Sequence, residues 1–149
     1  MQFNQSNPYM KTKIMTASPS ELRLMLYDGA IKFCHQANRA LDKKDYEASC
    51  GALMRAQKIV LELSTSLQHE VAPALCQRLS TLYTSIYRLL VDANGNRLDK
   101  PVDQAIQLLE YEKDAWQLLM QRAAEENGQA AENAADVINA QQTAISSLS

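Results

Sequence analysis

The side chains best suited to catalysis or metal binding are two histidines and three cysteines, and their spacing argues against both uses. His35 lies on the polar side of an apolar helical pattern and His69 near the end of another, without a carboxylate at metal-ligand spacing. Cys34 and His35 are adjacent, so on a helix they point in different directions and do not form a nucleophile–base pair. The chain also has no glycine-rich phosphate loop and no Glu-x-x-His motif. We therefore expect no catalytic site, no metal site and no cofactor, and a protein that is not an enzyme.

The cysteine pattern and the charge balance narrow the class of protein further. Cys34, Cys50 and Cys76 form no Cys-x-x-Cys motif and lie in apolar patterns, which favours reduced, buried thiols in a cytoplasmic protein. With 15 basic and 17 acidic residues the net charge is -2, and the basic residues are scattered. Nucleic acid is not expected as a partner, because phosphate binding needs a clustered basic surface. No apolar run approaches the length of a membrane span, so no membrane insertion is expected.

The elements that must position any functional surface are predicted to be helices only. Four glycines, four prolines and no period-two alternation are typical of an all-α chain. Ser18-Pro19-Ser20-Glu21 predicts a capping box with proline at the first helical position, opening a helix that runs to about Leu41. Asp45 is the predicted cap of a second helix, from Tyr46 to about Gln68.

Two more helices complete the predicted bundle. One has Pro73 in its first turn and ends at Asn94-Gly95-Asn96, because Asn and Gly tolerate a left-handed backbone. The last opens at Asp99 with Pro101 and ends near Asn127-Gly128. Short connections between helices of this length favour antiparallel neighbours. The expected fold is all-α: an antiparallel up-down four-helix bundle at 18–128, preceded by a flexible segment at 1–17 and followed by a weakly helical or disordered Ala/Gln-rich tail at 129–149.

The first two helices are apolar over an unusually wide arc. On the first helix one arc suits a bundle core, and a second arc lies beside it, so that apolar residues cover roughly 260° where a surface helix shows ~100–160°. The core arc contains Leu22, Met25, Leu26, Gly29, Ala30, Phe33 and Ala37, and the second arc contains Leu24, Tyr27, Ile31 and Cys34. On the second helix, Cys50, Met54 and Leu61 extend the apolar side.

Two structural explanations and one functional explanation account for these wide arcs. The first helix could be the central helix of an irregular bundle, buried on most sides, or mildly apolar Ala and Cys could widen the arcs. Alternatively, the bundle carries an apolar groove that is covered by another copy, by the chain's own ends or by an amphipathic segment of a partner. A helical wheel does not tell which of the two arcs faces inward.

Four sequence stretches, in order, resemble the FliS family of flagellar export chaperones of flagellin. They are "TASPSELRLMLYDGAIKF" at 16–33, "AQKIVLELSTSL" at 56–67, "LYTSIYRLLVDAN" at 82–94 and "DAWQ" at 114–117. The resemblance covers about residues 7–126. It differs at Leu89, where many relatives carry a second arginine, and it does not reach the tail.

The resemblance implies a cytoplasmic helical bundle that works without nucleotide. Members of the family hold the C-terminal segment of newly made flagellin over apolar surface, prevent its premature polymerisation and deliver it to the flagellar type III export gate. Their N-terminal segment, 1–17 here, covers part of that surface when the client is absent. Flagellin and the export gate are therefore the expected partners.

The resemblance and the apolar arcs of the helical wheels together point to seven partner-binding residues. Tyr9 matches a tyrosine that the family carries ahead of its first long helix and belongs to the movable cover. The groove residues come from the second arc of the first helix and from the second helix: Leu24, Tyr27, Ile31, Cys34, Met54 and Leu61.

Two further hypotheses concern the excess apolar surface. The tail stripe of Ala134, Ile138, Ile145 and Leu148 could occupy the groove as an internal stand-in for flagellin, in which case deleting 129–149 tightens flagellin binding. The alternative to a chaperone is a self-associating structural bundle, whose apolar surface serves a homodimer and which has no client.

Overall fold

Four long helices of the chain form a closed bundle, and a fifth, short helix precedes them. The computed structural model describes residues 8–68, 70 and 72–126, and the fold is described for these residues. The helices are α1 (Pro8–Thr16), α2 (Pro19–Asp42), α3 (Tyr46–Thr65), α4 (Pro73–Asn96) and α5 (Lys100–Glu125). α2 packs against α3 and α5, and α4 packs against the same two helices, so the four form a ring. The predicted all-α bundle is confirmed.

Side-chain contacts between α2 and α5 show that these two helices are antiparallel. Near the end of α5, the indole Nε1 of Trp116 donates to the carbonyl oxygen of Ser20, at the start of α2, over 3.1 Å. At the opposite end, the Nδ2 of Asn38 donates to the Oδ1 of Asp103 over 2.7 Å. Consecutive long helices are joined by the short connections 43–45, 66–72 and 97–99, as an up-down bundle requires.

The helices begin where local sequence signals place them. The Oγ of Ser18 accepts a hydrogen bond from the backbone N–H of Glu21, and the Oδ1 of Asp45 accepts one from that of Ala48, each at 3.1 Å. These bonds satisfy amides that the first helical turn leaves without a partner. Prolines occupy the first turns of α2, α4 and α5, where no N–H is needed. The predicted helix starts are therefore confirmed.

The helix ends lie close to their predicted positions, with local differences. α4 continues through Asn94-Gly95-Asn96, and its left-handed residue is Arg97, with φ of 55°. The guanidinium of Arg97 lies 4.2 Å from the ring centre of Tyr46, a cation–π contact that holds it there. α3 ends at Thr65 and not near Gln68, and α5 ends at Glu125.

The two ends of the chain are only partly described. Residues 8–16 of the predicted N-terminal segment form α1, which has no buried residue. Residues 1–7 and the tail 129–149 lie outside the described part of the chain, so the expected flexible start and the expected weak helicity of the tail stay predictions.

The turn after α2 gives a test of backbone strain. Lys44 is left-handed, with φ of 58°, while Lys43 has the ordinary helical φ of -87°. The N–H of Asp45 bonds to the carbonyl of Ala40 and that of Lys44 to Leu41, which is the bond pattern of a Schellman motif. A side chain in the left-handed region costs roughly 1–2 kcal/mol, a strain that glycine does not have.

We expect Lys44→Gly to stabilise the protein and Lys43→Gly to destabilise it. The free energy of unfolding of Lys44→Gly should rise by about 0.5–1 kcal/mol. This is less than the full strain, since glycine also has more conformational entropy to lose on folding. Urea unfolding followed by circular dichroism measures both free energies. A loss of stability in Lys44→Gly as large as that in Lys43→Gly would contradict the left-handed assignment.

Candidate partner-binding surfaces

The four candidate residues of α2 divide between the core and the edge of the bundle. Tyr27 and Cys34 are 1% and 0% exposed and belong to the core, whereas Leu24 and Ile31 are half-buried. Tyr27 and Cys34 are therefore not accessible to a partner in this structure, and the expectation that the four residues bind a partner stays a prediction. The physical reason is that α2 contacts α3 and α5 and also reaches α4 through Tyr27, so it is buried on most sides, one of the structural explanations left open by the sequence.

A buried polar cluster explains why Tyr27 faces inward. Its hydroxyl lies 2.5 Å from the hydroxyl of Tyr83 on α4. The Tyr83 hydroxyl also accepts a hydrogen bond from the guanidinium of Arg23, over 3.0 Å. The Arg23 guanidinium lies 5.2 Å from the ring centre of Trp116 on α5 and is 1% exposed. These four side chains, which we call the Arg23 cluster, connect α2, α4 and α5.

The Arg23 cluster holds a buried positive charge without an ion pair to a carboxylate among the described residues. Burial by itself lowers the pKa of Arg23, but the two tyrosines outweigh that effect and leave the pKa raised, so the guanidinium stays charged. Burial raises the pKa of Tyr27, so its hydroxyl stays protonated and can donate. Sequence reasoning did not assign Arg23 to the interior, since arginine is almost never fully buried. No local signal identifies it, because its partners are 60 and 93 residues further along the chain.

Met54 and Leu61, the candidate residues of α3, are exposed along a groove between α3 and α4. Each has 52% of its surface exposed. Beside Leu61 the two helices enclose a recess of about 150 Å³, lined by Val60, Leu61, Ser64, Tyr83, Thr84 and Tyr87. The prediction that Met54 and Leu61 bind a partner is not tested by the structure, but both are accessible.

No charged side chain lines the recess itself, while the exposed Lys58 and Arg88 lie one helical turn from residues of its two flanks. Residues that follow the α4-facing edge of α3 at helical spacing are Cys50, Met54, Gln57, Leu61 and Ser64. The facing edge of α4 carries Ser80, Thr84, Tyr87 and the exposed Val91. We call these two edges together the α3–α4 groove. From Cys50 to Ser64, which are 14 positions apart, it extends roughly 21 Å, about four helical turns.

The predicted groove residues of α2 lie on the other side of the bundle. Leu24 and Ile31 share a helical stripe with Asp28 and Asn38, which contact Lys113 and Asp103 of α5. The junction between α2 and α5 is opposite the junction between α3 and α4 in the ring. The structure therefore does not bring Leu24 and Ile31 together with Met54 and Leu61 in a single groove.

Tyr9 of the predicted cover lies on α1, and 72% of its surface is exposed. Met15 on the same helix is also exposed. A covering role for Tyr9 over the groove stays a prediction.

A second apolar surface lies between α4 and α5, and the sequence analysis missed it. Leu75, Leu82 and Leu89 follow each other at intervals of seven along α4 and are half-buried against the outside of the core. α5 contributes the half-buried Leu108 and the exposed Tyr111, Leu118 and Leu119. We call these seven residues the α4–α5 face. The seven-residue spacing of the leucines was the available signal.

The described residues offer little for metal or nucleophilic chemistry. They contain no group of three or more His, Cys, Asp or Glu side chains that could hold a metal ion. Cys34 and Cys76 are buried, Cys50 is half-buried and all three are free thiols. Within the described part of the chain, no helix has both the length and the apolar character needed to cross a membrane.

Comparison with known proteins gives a consistent set of similarities. The family model described as "Flagellar protein FliS" matches residues 1–123. The "Flagellar secretion chaperone FliS" of Bacillus subtilis is 31% identical over 118 residues, which cover 79% of this chain and 87% of the relative. The proteins of the same name from Campylobacter jejuni and Salmonella typhimurium are each 30% identical, over 74% and 76% of this chain and 86% and 85% of theirs.

Removal of one hydroxyl tests the Arg23 cluster. We expect Tyr83→Phe to lower the free energy of unfolding by about 1–3 kcal/mol, because a buried guanidinium loses its acceptor. Tyr87→Phe, one turn away on α4 and half-buried, serves as the control and should change it by less than about 0.5 kcal/mol. In an Arg23→Met background, Tyr83→Phe should lower the free energy of unfolding by clearly less than it does in the parent protein. Equal costs with and without the arginine would contradict the role given to this bond.

Burial also predicts which thiols react. Burial raises the pKa of Cys34 to about 12 and raises that of Cys76, so the folded protein holds both as thiols at pH 8. Only Cys50 should react quickly with a thiol reagent before urea is added, and all three afterwards.

Because the thiol of Cys34 ionises more easily in the unfolded chain, its contribution to stability is complete below about pH 9 and decreases as the pH rises towards 12.

Proposed function

The chain belongs to the FliS family of flagellar proteins, and on this basis we propose that it is a flagellar export chaperone whose client is the C-terminal segment of flagellin. The curated relatives are named flagellar secretion chaperones. The observation that carries the proposal on this chain is the α3–α4 groove, which is accessible and has a mainly apolar recess lined by no charged side chain.

The α3–α4 groove suits an amphipathic helix of about four turns. Leu61 and Met54 offer apolar contacts on one edge, and Tyr87 and Val91 do so on the other. A helix that lays its apolar face into such a groove is a common mode of peptide recognition. Because no charged side chain lines the recess, binding there depends mainly on apolar burial.

The client has to be kept from polymerising, and apolar burial explains how a chaperone can do so. A flagellin segment that exposes apolar helical repeats associates with its own kind unless those repeats are covered. Binding an unstructured segment costs ordering entropy, which favours an extended, mostly apolar contact. Leu24 and Ile31, on the junction of α2 and α5, then contact the client only if it wraps around the bundle beyond the groove.

The setting of this activity follows from the proposed client. The protein acts in the cytoplasm, before export, and hands flagellin to the flagellar type III export gate. It does so by holding and releasing its client, so its role is non-enzymatic and uses no cofactor. The N-terminal segment with Tyr9 covers part of the apolar surface between clients.

A charge placed in the α3–α4 groove tests this proposal. We expect the full chain to bind the C-terminal 50 or so residues of flagellin from the same organism one to one, with a large negative heat-capacity change. Leu61→Glu should weaken binding at least tenfold, equivalent to about 1.4 kcal/mol. Isothermal titration calorimetry measures both quantities.

Ala48→Glu is the matched control, because it adds the same charge to an exposed position of α3 on the side facing α2. The affinity of the Ala48→Glu variant for the flagellin segment should stay within twofold of that of the parent protein. Equal affinities for Leu61→Glu and the parent would rule out the groove while leaving the chaperone function standing. Absence of binding by the parent, together with a dimer that persists at nanomolar concentration, would favour the self-associating bundle instead.

A further inference from the structure

Arg97, the residue that follows α4, combines a strained backbone with a fixed side chain. Its φ of 55° is left-handed, a conformation that is strained for any residue with a Cβ and is usually taken by glycine or asparagine. Its guanidinium lies over the ring of Tyr46, 4.2 Å from the ring centre, although the residue itself is exposed. A strained backbone that presents a charged group in a fixed position is a reason to look for a ligand.

The Arg97–Tyr46 pair lies at one end of the α3–α4 groove. The thiol of Cys76, near the start of α4, donates to the carbonyl oxygen of Gln68, in the connection after α3, over 3.1 Å. Arg97, directly after α4, contacts Tyr46 at the start of α3. These two contacts show that α3 and α4 are antiparallel. Tyr46 is four residues before Cys50 on the same stripe of α3, so the guanidinium lies one helical turn beyond the groove.

The N–H donors of Arg97 have no carboxylate partner. Within the described part of the chain, Arg97 makes no ion pair. A cation–π contact uses the charge of the guanidinium but none of its hydrogen-bond donors, so these stay available for an acceptor. The next residue, Leu98, is 48% exposed and adds apolar surface. A planar fork of donors at the end of an apolar groove matches a carboxylate at the end of an apolar segment.

The other charges at this end of the bundle nearly cancel. Residues 39–47 and 92–103 contain five basic and six acidic side chains, Arg97 included. Asp45 and Asp92 already accept hydrogen bonds from groups on their own helices. Salt screens exposed charges over about 8–10 Å, so the field of this end does not attract an anion. Recognition at Arg97 therefore depends on direct hydrogen bonds.

We propose that Arg97 binds the terminal carboxylate of the helix that docks in the α3–α4 groove. This inference rests on the proposed function, in which the client is the C-terminal segment of flagellin. The last carbonyl groups of a helix lack partners, and the helix dipole adds negative charge at the same end, so both favour a guanidinium there. The client helix then runs parallel to α4 and antiparallel to α3.

The distance along the groove gives the register of the client. Tyr46 and Leu61 are 15 positions apart on α3, roughly 22 Å. A client helix whose carboxylate lies at Arg97 therefore places the residue about 15 positions before its last one beside the recess lined by Leu61 and Tyr87. The apolar walls of that recess favour an aliphatic side chain at this position. Arg97 thus selects one direction and one register of a helix.

Amidation of the client's last residue tests the inference without altering the chaperone. Isothermal titration calorimetry compares binding of the full chain to the C-terminal 50 or so residues of flagellin from the same organism, as free acid and as amide. We expect the amide to bind at least about fivefold more weakly, since a charge-assisted hydrogen bond is lost. In Arg97→Gln the free acid should be weakened by the same factor, and amidation should have no further effect.

Arg88→Gln is the matched control, because it removes an exposed charge of α4 that is not at the end of the groove. The ratio of acid to amide affinity should stay within about twofold of the parent's. Equal binding of acid and amide by the parent would overturn the inference and leave the chaperone function standing. An equal loss for both peptides in Arg97→Gln would also overturn it, since Arg97 then acts on another group. Absence of binding of either peptide would overturn the proposed function, and the inference with it.

Discussion

The burial of the Arg23 guanidinium among Tyr27, Tyr83 and Trp116 is the constraint on which the arrangement of the bundle depends. A buried charge is tolerated only where polar or aromatic groups surround it, and here those groups come from α2, α4 and α5. Meeting this requirement fixes α2 against its diagonal neighbour α4 as well as against α5. α2 is consequently enclosed, and its wide apolar arc serves the core and leaves little for a partner.

Because α2 is enclosed, the accessible apolar surface of the bundle lies mainly on the two flanks of α4. Tyr83 faces the core from this helix, so Thr84, Tyr87 and Val91 turn towards α3, and Leu75, Leu82 and Leu89 turn towards α5. The first flank belongs to a groove with a distinct recess that no charged side chain lines, and the second has Arg78 and Glu112 beside it. A groove with such a recess suits the apolar face of an amphipathic helix.

The sequence predicted the features that depend on local contacts and missed those that depend on distant ones. Ser18 and Asp45 cap their helices through amides three residues away, so a motif is sufficient to locate them. Tyr27 faces inward because its hydroxyl bonds to that of Tyr83, 56 residues further along the chain. A helical wheel shows one helix alone and cannot predict such a contact. Arg97 takes the left-handed position expected of Asn or Gly because its side chain stacks on Tyr46, which lies on another helix. Met54 and Leu61 lie where the helical wheel extends the apolar side of α3, and each has 52% of its surface exposed.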